Sequence, residues 1–91
     1  MRIECVVWLD SIVEKLEGKH HVSIEEVEEV FSNRPRFRYV ERGHRRGEDV
    51  YAAIGRTRNR RNLIVFFVYK PRRKEALVVS ARTPSRRERS L

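Results

Sequence analysis

The sequence has few of the residues that cross-link or interrupt a chain: of 91 residues, 1 is Cys, 3 are Pro and 4 are Gly. One cysteine cannot form an internal disulfide, which excludes a disulfide-stapled scaffold and is typical of a reducing compartment. Scarce Pro and Gly, together with 40% hydrophobic residues, argue against disorder. No apolar run approaches the ~20 residues that span a bilayer, and no signal peptide is recognisable. We expect one soluble, cytoplasmic domain over residues 1–91.

Acidic residues are scarce after the first third of the chain. Residues 1–31 contain 3 Lys/Arg and 8 Asp/Glu, a net charge of −5, whereas residues 32–91 contain 18 and 5, a net charge of +13. The basic part is almost all arginine, whose planar guanidinium suits bidentate contacts to phosphate. This segregation favours a nucleic-acid ligand. The alternative is a charged surface that serves solubility or thermal stability.

Metal-site and nucleophile motifs are missing as well. The cysteine and the histidines have none of the spacings of a metal site, there is no glycine-rich phosphate loop, and no serine lies in a nucleophile elbow. We therefore expect no metal and no cofactor. Cys5, within the apolar stretch "RIECVVW", is expected to be a small buried hydrophobe.

Two helices are predicted after a first strand in "RIECVVW". Asp10 or Ser11 can cap a short helix that Gly18 would end. In "HVSIEEVEEVF", Ser23 and Glu26 have the spacing of a capping box, which predicts a second helix. The core-facing stripe of that helix is expected to consist of Ile24, Val27 and Phe31.

The rest of the chain predicts four strands in succession. After Pro35, "RFRYVER" suits an edge strand, "DVYAAIGRT" and "EALVVSAR" are strands, and "LIVFFVY" is apolar enough to be central and covered on both faces. Thr83 or Ser85 could cap a last short helix through Arg89. The predicted fold class is α+β: a small antiparallel sheet of about five strands in the order β-α-α-β-β-β-β, two helices on one face, and a short C-terminal helix.

Arginines recur where strands end. Arg56, Arg58 and Arg61 flank one turn of the predicted meander and should cluster, and Arg82 can join them only if its strand lies beside that edge. Arginine stays protonated, so it can hold a phosphate and neutralise developing charge but cannot act as a base. Proton transfer would fall to His20, His21, His44 or a carboxylate such as Glu88, although capping and ion pairing explain these residues equally well.

Aromatic residues offer a further nucleic-acid signal. Phe37 and Tyr39 alternate with Arg36 and Arg38 on the predicted edge strand, so they are candidates for stacking on bases. Trp8 and Tyr51 are expected to lie in the core.

Several motifs, in order and with spacing kept, give the sequence a family resemblance. They are "W(x)11 H-x-V-S" from Trp8 to Ser23, "E-D-x-Y-x-A-I-G-R-T" from Glu48 to Thr57, "R-x-L-x-V" from Arg61 to Val65, and "S-A-R-x(5)-E-R" from Ser80 to Arg89. Together they resemble the BrnT family of bacterial toxins, which are similar in fold to RelE-type ribonucleases. The resemblance implies a toxin of a type II toxin–antitoxin pair that cuts RNA and suppresses translation, neutralised by an antitoxin with a ribbon-helix-helix domain.

The resemblance also implies the site residues. Carried over residue by residue, it matches Lys19, His20, Arg56, Arg61, Arg82 and Glu88. Together with the clustering of arginines, it leads us to expect a metal-independent endoribonuclease in which a 2′-hydroxyl attacks the adjacent phosphorus, arginines stabilise the charge, and His20 or Glu88 moves protons. The catalytic candidates are Arg56, Arg61, Arg82, His20 and Glu88. The RNA-binding candidates are Lys19, Arg58, Arg60, Arg86, Arg36 and Arg38.

Two other functions stay open. Members of the family are expected to continue beyond the position of Leu91 to an aromatic residue, often Tyr, which could contribute to catalysis. One alternative is therefore a module that binds nucleic acid without cutting it. The other is that the basic face mainly receives an acidic antitoxin segment, by strand addition or by a helix laid across the arginines.

Overall fold

A computed structural model of the protein describes residues 1–90; Leu91, the last residue of the expected domain, lies outside them. The helices and strands are β1 (Cys5–Val7), α1 (Asp10–Lys15), a π-helical segment (Leu16–His20), α2 (Ile24–Ser32), β2 (Arg36–Glu41), β3 (Val50–Arg56), β4 (Asn62–Lys70), β5 (Glu75–Arg82) and α3 (Arg86–Arg89). This α+β architecture and its order of elements confirm the prediction.

The five strands form one sheet in the order β1-β5-β4-β3-β2. The pairings of β2 with β3, β3 with β4 and β4 with β5 are antiparallel, as short connections require. β1 lies parallel to β5, a pairing that local sequence pattern does not predict. The apolar run "LIVFFVY" is the central strand β4, and β2 is an edge strand, as expected.

The main core lies between the helices and one face of the sheet. Val27 and Val30 of α2 are fully buried against Ala53, Val65 and Phe67 of the central strands. The alternation of side chains along a strand places every second residue on this helix-covered face. The partly buried aromatics packed on the same core include Trp8 and Tyr51, as expected.

The start of α2 follows its sequence signature. Ser23 Oγ accepts the backbone N–H of Glu26, and the Glu26 carboxylate accepts the backbone N–H of Ser23, each at 3.1 Å. This reciprocal pair satisfies two helix-terminal N–H groups that would otherwise lack partners. The predicted capping box is confirmed.

The first helix differs from the prediction in both its cap and its end. Leu9 occupies the cap position, and no side chain caps the helix there. The helix does not end at Gly18, because it continues as the π-helical segment to His20, and His21 ends it with a left-handed backbone at φ 52°. Asparagine and histidine tolerate this conformation better than most residues, so a glycine is not needed at the end of the helix.

Cys5 is exposed rather than buried, so its expected core role is wrong. It lies on the three-residue edge strand β1, where the core is formed by neighbours on the other side of the pleat, such as Val6. An apolar sequence context predicted burial, but an edge position exposes every second side chain.

Candidate nucleic-acid interface

The face of the sheet opposite α1 and α2, the open face, carries a row of arginines. Its apolar floor is a small cluster of Ala52, Ile54 and Ile64 with the half-buried Phe66. In the strand register, Arg36 lies opposite Ile54, and Arg82 lies opposite Ile64. Directly paired residues of antiparallel strands share a face, so both arginines flank this floor.

Two further arginines lie on the open face by the same alternation. Arg38 pairs with Ala52, two residues along β2 from Arg36. Arg56 pairs with Asn62, two residues beyond Ile54, and its Nε donates to Asn62 Oδ1 at 3.2 Å. Arg36, Arg56 and Arg82 therefore lie near the same end of the sheet, because β2 begins there while β3 and β5 end there.

The short helix α3 closes the site from the C-terminal side. Ser85 caps it with a second capping box, in which Ser85 Oγ accepts the Glu88 N–H at 3.1 Å and the Glu88 carboxylate accepts the Ser85 N–H at 2.8 Å. This confirms Ser85 rather than Thr83 as the cap. The far end of α3 reaches β2, where Arg36 Nη2 donates to the carbonyl oxygen of Arg89 at 3.0 Å.

A cavity of about 630 Å³ opens between α3, the start of β2, the end of β3 and the start of β4. Five of its lining residues are arginines, and none is acidic: Arg34, Arg36, Arg56, Arg86 and Arg89. Ile54 and Gly55 supply an apolar part of the wall. A cavity of this charge favours an anion with an apolar portion, which describes a nucleotide.

Arg82 and Glu88 form a bidentate ion pair at the margin of this face. Arg82 Nη1 and Nη2 donate to the two oxygens of Glu88 at 2.7 and 2.8 Å. Hydrogen bonds from Arg82 and from the Ser85 N–H lower the pKa of Glu88 to about 2, and the pair raises the pKa of Arg82. The Arg82 guanidinium also lies 5.3 Å from the Phe66 ring centroid, a cation–π contact.

Arg61 belongs to the helix-covered side of the sheet. Its Nη1 donates to both oxygens of Glu26, each at 3.0 Å, and to the carbonyl oxygen of His21 at 2.7 Å. Burial raises the pKa of Glu26, but hydrogen bonds from Ser23 and Arg61 outweigh it, so the net pKa is lowered. Arg61 thus ties the β3–β4 loop to the start of α2, and the structure does not bring it onto the open face with Arg56 and Arg82.

Lys19 and His20 also lie on the helix side. They are the last residues of the π-helical segment, where Lys19 is exposed and His20 is half-buried. The His20 carbonyl oxygen accepts from Arg61 Nη2 at 3.4 Å. Neither side chain lines the cavity of the open face.

Arg58 and Arg60 lie in the loop that follows β3. Both are exposed, and both line a second cavity of about 510 Å³ next to α2. Arg86 lines the first cavity, while its neighbour Arg87 does not.

Phe37 and Tyr39 point away from the arginine-bearing face. Phe37 packs edge-on against the core residue Phe67, with ring centroids 6.0 Å apart. Tyr39 is 58% exposed and makes an edge-on contact with Tyr51 on the helix-covered side. Strand alternation thus places these aromatics on the face opposite to Arg36 and Arg38. The aromatic residue on the apolar floor of the open face is Phe66 instead.

Within residues 1–90, no three His, Cys, Asp or Glu side chains come together in a way that could hold a metal ion. Among the helices of that same part, none is long and apolar enough to cross a membrane.

Comparison with known families identifies the chain. The sequence model of a family described as "Ribonuclease toxin, BrnT, of type II toxin-antitoxin system" matches residues 10–88. The chain belongs to this family. No curated protein matches it. Membership in the BrnT family implies an RNA substrate and an antitoxin partner. The match extends from the start of α1 through Glu88, so it includes the Arg82–Glu88 pair and the cavity residues up to Arg86.

Proposed function

We propose that this BrnT-family chain is a metal-independent endoribonuclease that binds RNA on the open face of the sheet and suppresses translation in the cytoplasm. The observation that carries the proposal is the cavity lined by five arginines and no acidic residue. Its partner would be an antitoxin with a ribbon-helix-helix domain, and its RNA substrate is free or associated with the ribosome.

The chemistry follows from what arginine can do. The ribose 2′-oxygen attacks the adjacent phosphorus and the bond to the 5′-oxygen breaks, leaving a 2′,3′-cyclic phosphate and a free 5′-hydroxyl. Negative charge grows on the phosphoryl oxygens in the transition state, where fixed guanidinium groups stabilise it. Arg56 lies at the cavity wall for this role. Arg82 supports it from β5, which is separated from β3 by the central strand β4.

The candidate residues for proton transfer differ in their suitability for it. Glu88, with its pKa lowered to about 2, is ionised and occupied by Arg82 at neutral pH, so we assign it to positioning Arg82. A histidine suits proton transfer near neutral pH. His20, with Lys19 beside it, is the candidate that the sequence offers for that role. Because both lie on the helix side and neither lines the open-face cavity, variants at His20 test whether RNA reaches it.

One observation favours the alternative of a binding module that does not cut RNA. None of the residues lining the cavity of the open face is a histidine, an aspartate or a glutamate. An arginine-only site can hold RNA through its phosphates without cleaving it.

The test is RNA cleavage by the purified protein in EDTA. Wild-type protein should cut RNA, and Arg56→Ala or Arg82→Ala should lower the cleavage rate by roughly 10²–10³-fold, the usual effect of removing a group that stabilises transition-state charge. Arg87→Ala is the matched control, because Arg87 lies on α3 without lining the cavity. It should cut at the wild-type rate.

Two results would contradict parts of the proposal. Intact RNA with folded wild-type protein, bound in a salt-dependent way, would establish the binding module instead. Cleavage that survives Arg56→Ala and Arg82→Ala unchanged would move the site elsewhere. Comparing His20→Asn with His21→Asn separates the two histidines, because asparagine tolerates the left-handed backbone of residue 21. Loss of cleavage in His21→Asn alone would remove His20 from the mechanism.

A further inference from the structure

A second basic cavity adjoins the first around the end of β3. It lies between α2 and the β3–β4 loop, and its arginines are Arg56, Arg58 and Arg60. Arg56 and Asn33 line both cavities. The basic surface therefore does not stop at the edge of the open face but turns around the strand end onto the helix side.

Hydrogen bonds fix the backbone at this turn. Asn33, which follows α2, donates from Nδ2 to the carbonyl oxygen of Arg56 at 3.0 Å. The backbone N–H of Arg58 donates to Glu29 Oε1 at 3.0 Å. α2 thus holds both the last residue of β3 and the start of the loop, so Arg56 and Arg58 are presented from a supported backbone.

Arg60 adopts a backbone conformation that costs free energy in any residue other than glycine. Its φ is 65°, in the left-handed region, where a side chain costs roughly 1–2 kcal/mol. A glycine would relieve this cost, and the turn geometry itself needs no arginine. The chain thus keeps a charged side chain in the second cavity at a position where the backbone favours glycine.

Acidic residues define where the basic surface ends. Glu29 lies in the second cavity, and a neighbouring depression on α2 is lined by Glu25, Glu28 and Glu29 with Arg58. A phosphate backbone would be repelled beyond Arg58 on this side. The favourable track therefore runs from the open face through Arg56 to the loop arginines and stops there.

We propose that Arg58 and Arg60 form a second phosphate subsite, and that the substrate is single-stranded RNA whose backbone continues from the open face around the end of β3. This inference rests on the proposed function for the first cavity. A duplex is stiff and would contact one side of the molecule, whereas a single strand can change direction and follow a line of charge.

The experiment measures binding of uncleavable RNA. Fluorescein-labelled 2′-O-methyl oligouridines of two to about ten nucleotides are titrated with wild type, Arg56→Ala and the double variant Arg58→Ala/Arg60→Gly at several salt concentrations. Blocking the 2′-oxygen prevents cleavage, so binding alone is read. Glycine at position 60 suits the left-handed backbone.

The double variant should bind the longer oligonucleotides about tenfold more weakly than wild type and bind the dinucleotide equally well. The slope of log affinity against log salt should fall by about 1.4, since each phosphate contact on a single strand contributes about 0.7. Arg45→Ala/Arg72→Ala, which removes the same charge from loops that line neither cavity, is the control and should leave the dependence on length unchanged.

The outcomes separate the two proposals. If the double variant binds long oligonucleotides with wild-type affinity while Arg56→Ala binds them more weakly, the second subsite is overturned and the first is kept. An equal loss in the control pair would also overturn it, and unchanged binding in every variant would overturn both proposals. A duplex that binds as tightly as the single strand would overturn the single-stranded path. If circular dichroism shows that the double variant is unfolded, Arg60→Gly alone is titrated instead, and the slope of log affinity against log salt should fall by half as much.

Discussion

At the scale of single residues, the arginines divide by what already occupies their guanidinium groups. Arg82 is held by the Glu88 carboxylate and Arg61 by that of Glu26, whereas the side chains of Arg58 and Arg60 line an open cavity. Composition counts these residues alike. Their partners distinguish them in the folded chain: Arg82 and Arg61 are each held in place by a carboxylate, whereas no carboxylate pairs with the guanidinium group of Arg58 or Arg60 among the described ion pairs.

The Arg82–Glu88 pair predicts a specific dependence on pH. The pKa of Glu88 is lowered from 4.5 to about 2 in the folded protein, so the pair's stabilisation is complete above about pH 4.5 and is lost as the pH falls towards 2. Glu88→Gln should therefore unfold more easily than wild type in urea at pH 7, with a difference near 0–1 kcal/mol because the pair is partly exposed.

That difference should shrink as the pH is lowered from 4.5 to about 2.5, when urea unfolding is followed by circular dichroism at each pH. Glu75→Gln is the control, because its ion pair with Arg73 is long, at 3.9 Å. A difference for Glu88→Gln that stays constant over this range would contradict the assignment of the pair.

At the scale of elements, the β3–β4 loop is fixed by its contacts with α2. The Arg61 side chain joins the Glu26 carboxylate and the carbonyl of His21, just before α2, and the backbone N–H of Arg58 donates to Glu29. Within the loop, Thr57 Oγ1 accepts the Arg61 N–H at 3.1 Å. Glu26 thereby belongs to two arrangements, because it also closes the capping box with Ser23. A change at this carboxylate would loosen the helix start and the loop together.

We therefore predict that Arg61→Ala and Arg56→Ala differ in stability. Arg61→Ala should lower the free energy of unfolding by about 1–3 kcal/mol, since it removes the arginine donor from the partly buried Glu26 carboxylate and from the His21 carbonyl. Arg56→Ala, at an exposed position, should change it by less than about 0.5 kcal/mol. Urea unfolding at pH 7 measures both, and equal losses would show that Arg61 does not hold the loop.

Elements with strong local signals are those that the sequence predicts well. The capping box at Ser23 and Glu26, the apolar run of β4 and the Ser85 cap are local patterns, and each appears where expected. The end of the first helix is missed because a residue other than glycine, His21, takes the left-handed conformation. The exposure of Cys5 and the parallel pairing of β1 with β5 depend on which strand lies at the edge, which is set by the whole topology.

The candidate site is predictable to a similar extent. Strand alternation brings Arg36 and Arg82 onto one face, and a meander places the ends of β3 and β5 together, so much of the arginine cluster follows from the order of elements. The side of the sheet to which Arg61 points does not follow from the order of elements, because a loop residue lacks the alternation of a strand. Only the contact with Glu26 reveals it.

At the scale of the whole molecule, the two charge segments of the sequence occupy different surfaces. The acidic residues of the first third include the outer side of α2, and the basic remainder contributes the open face and the loop beyond β3. A partner that neutralises the toxin by covering the open face would need acidic groups there. The same groups would exclude RNA, so inhibition requires no change of shape in the toxin.

Expression in cells tests this partnership. Induced alone, the protein should arrest growth and degrade RNA; induced with the adjacent reading frame, if that encodes a ribbon-helix-helix protein, it should do neither. Growth curves and total RNA integrity measure the two effects, with Arg56→Ala as the inactive control. Growth arrest by Arg56→Ala equal to wild type would show that toxicity does not come from cleavage at the proposed site.

The pairing of Arg82 with Glu88 has a consequence for how an anion arrives. The carboxylate holds both terminal nitrogens of the guanidinium, so Arg82 already carries an anion that belongs to the chain and is connected to it through a strand end and one helical turn. An RNA phosphate that reaches Arg82 must share it with this carboxylate or displace it, and the displaced carboxylate remains nearby to return. Binding at Arg82 is thus an exchange between two anions, which favours release of the product as well as entry of the substrate.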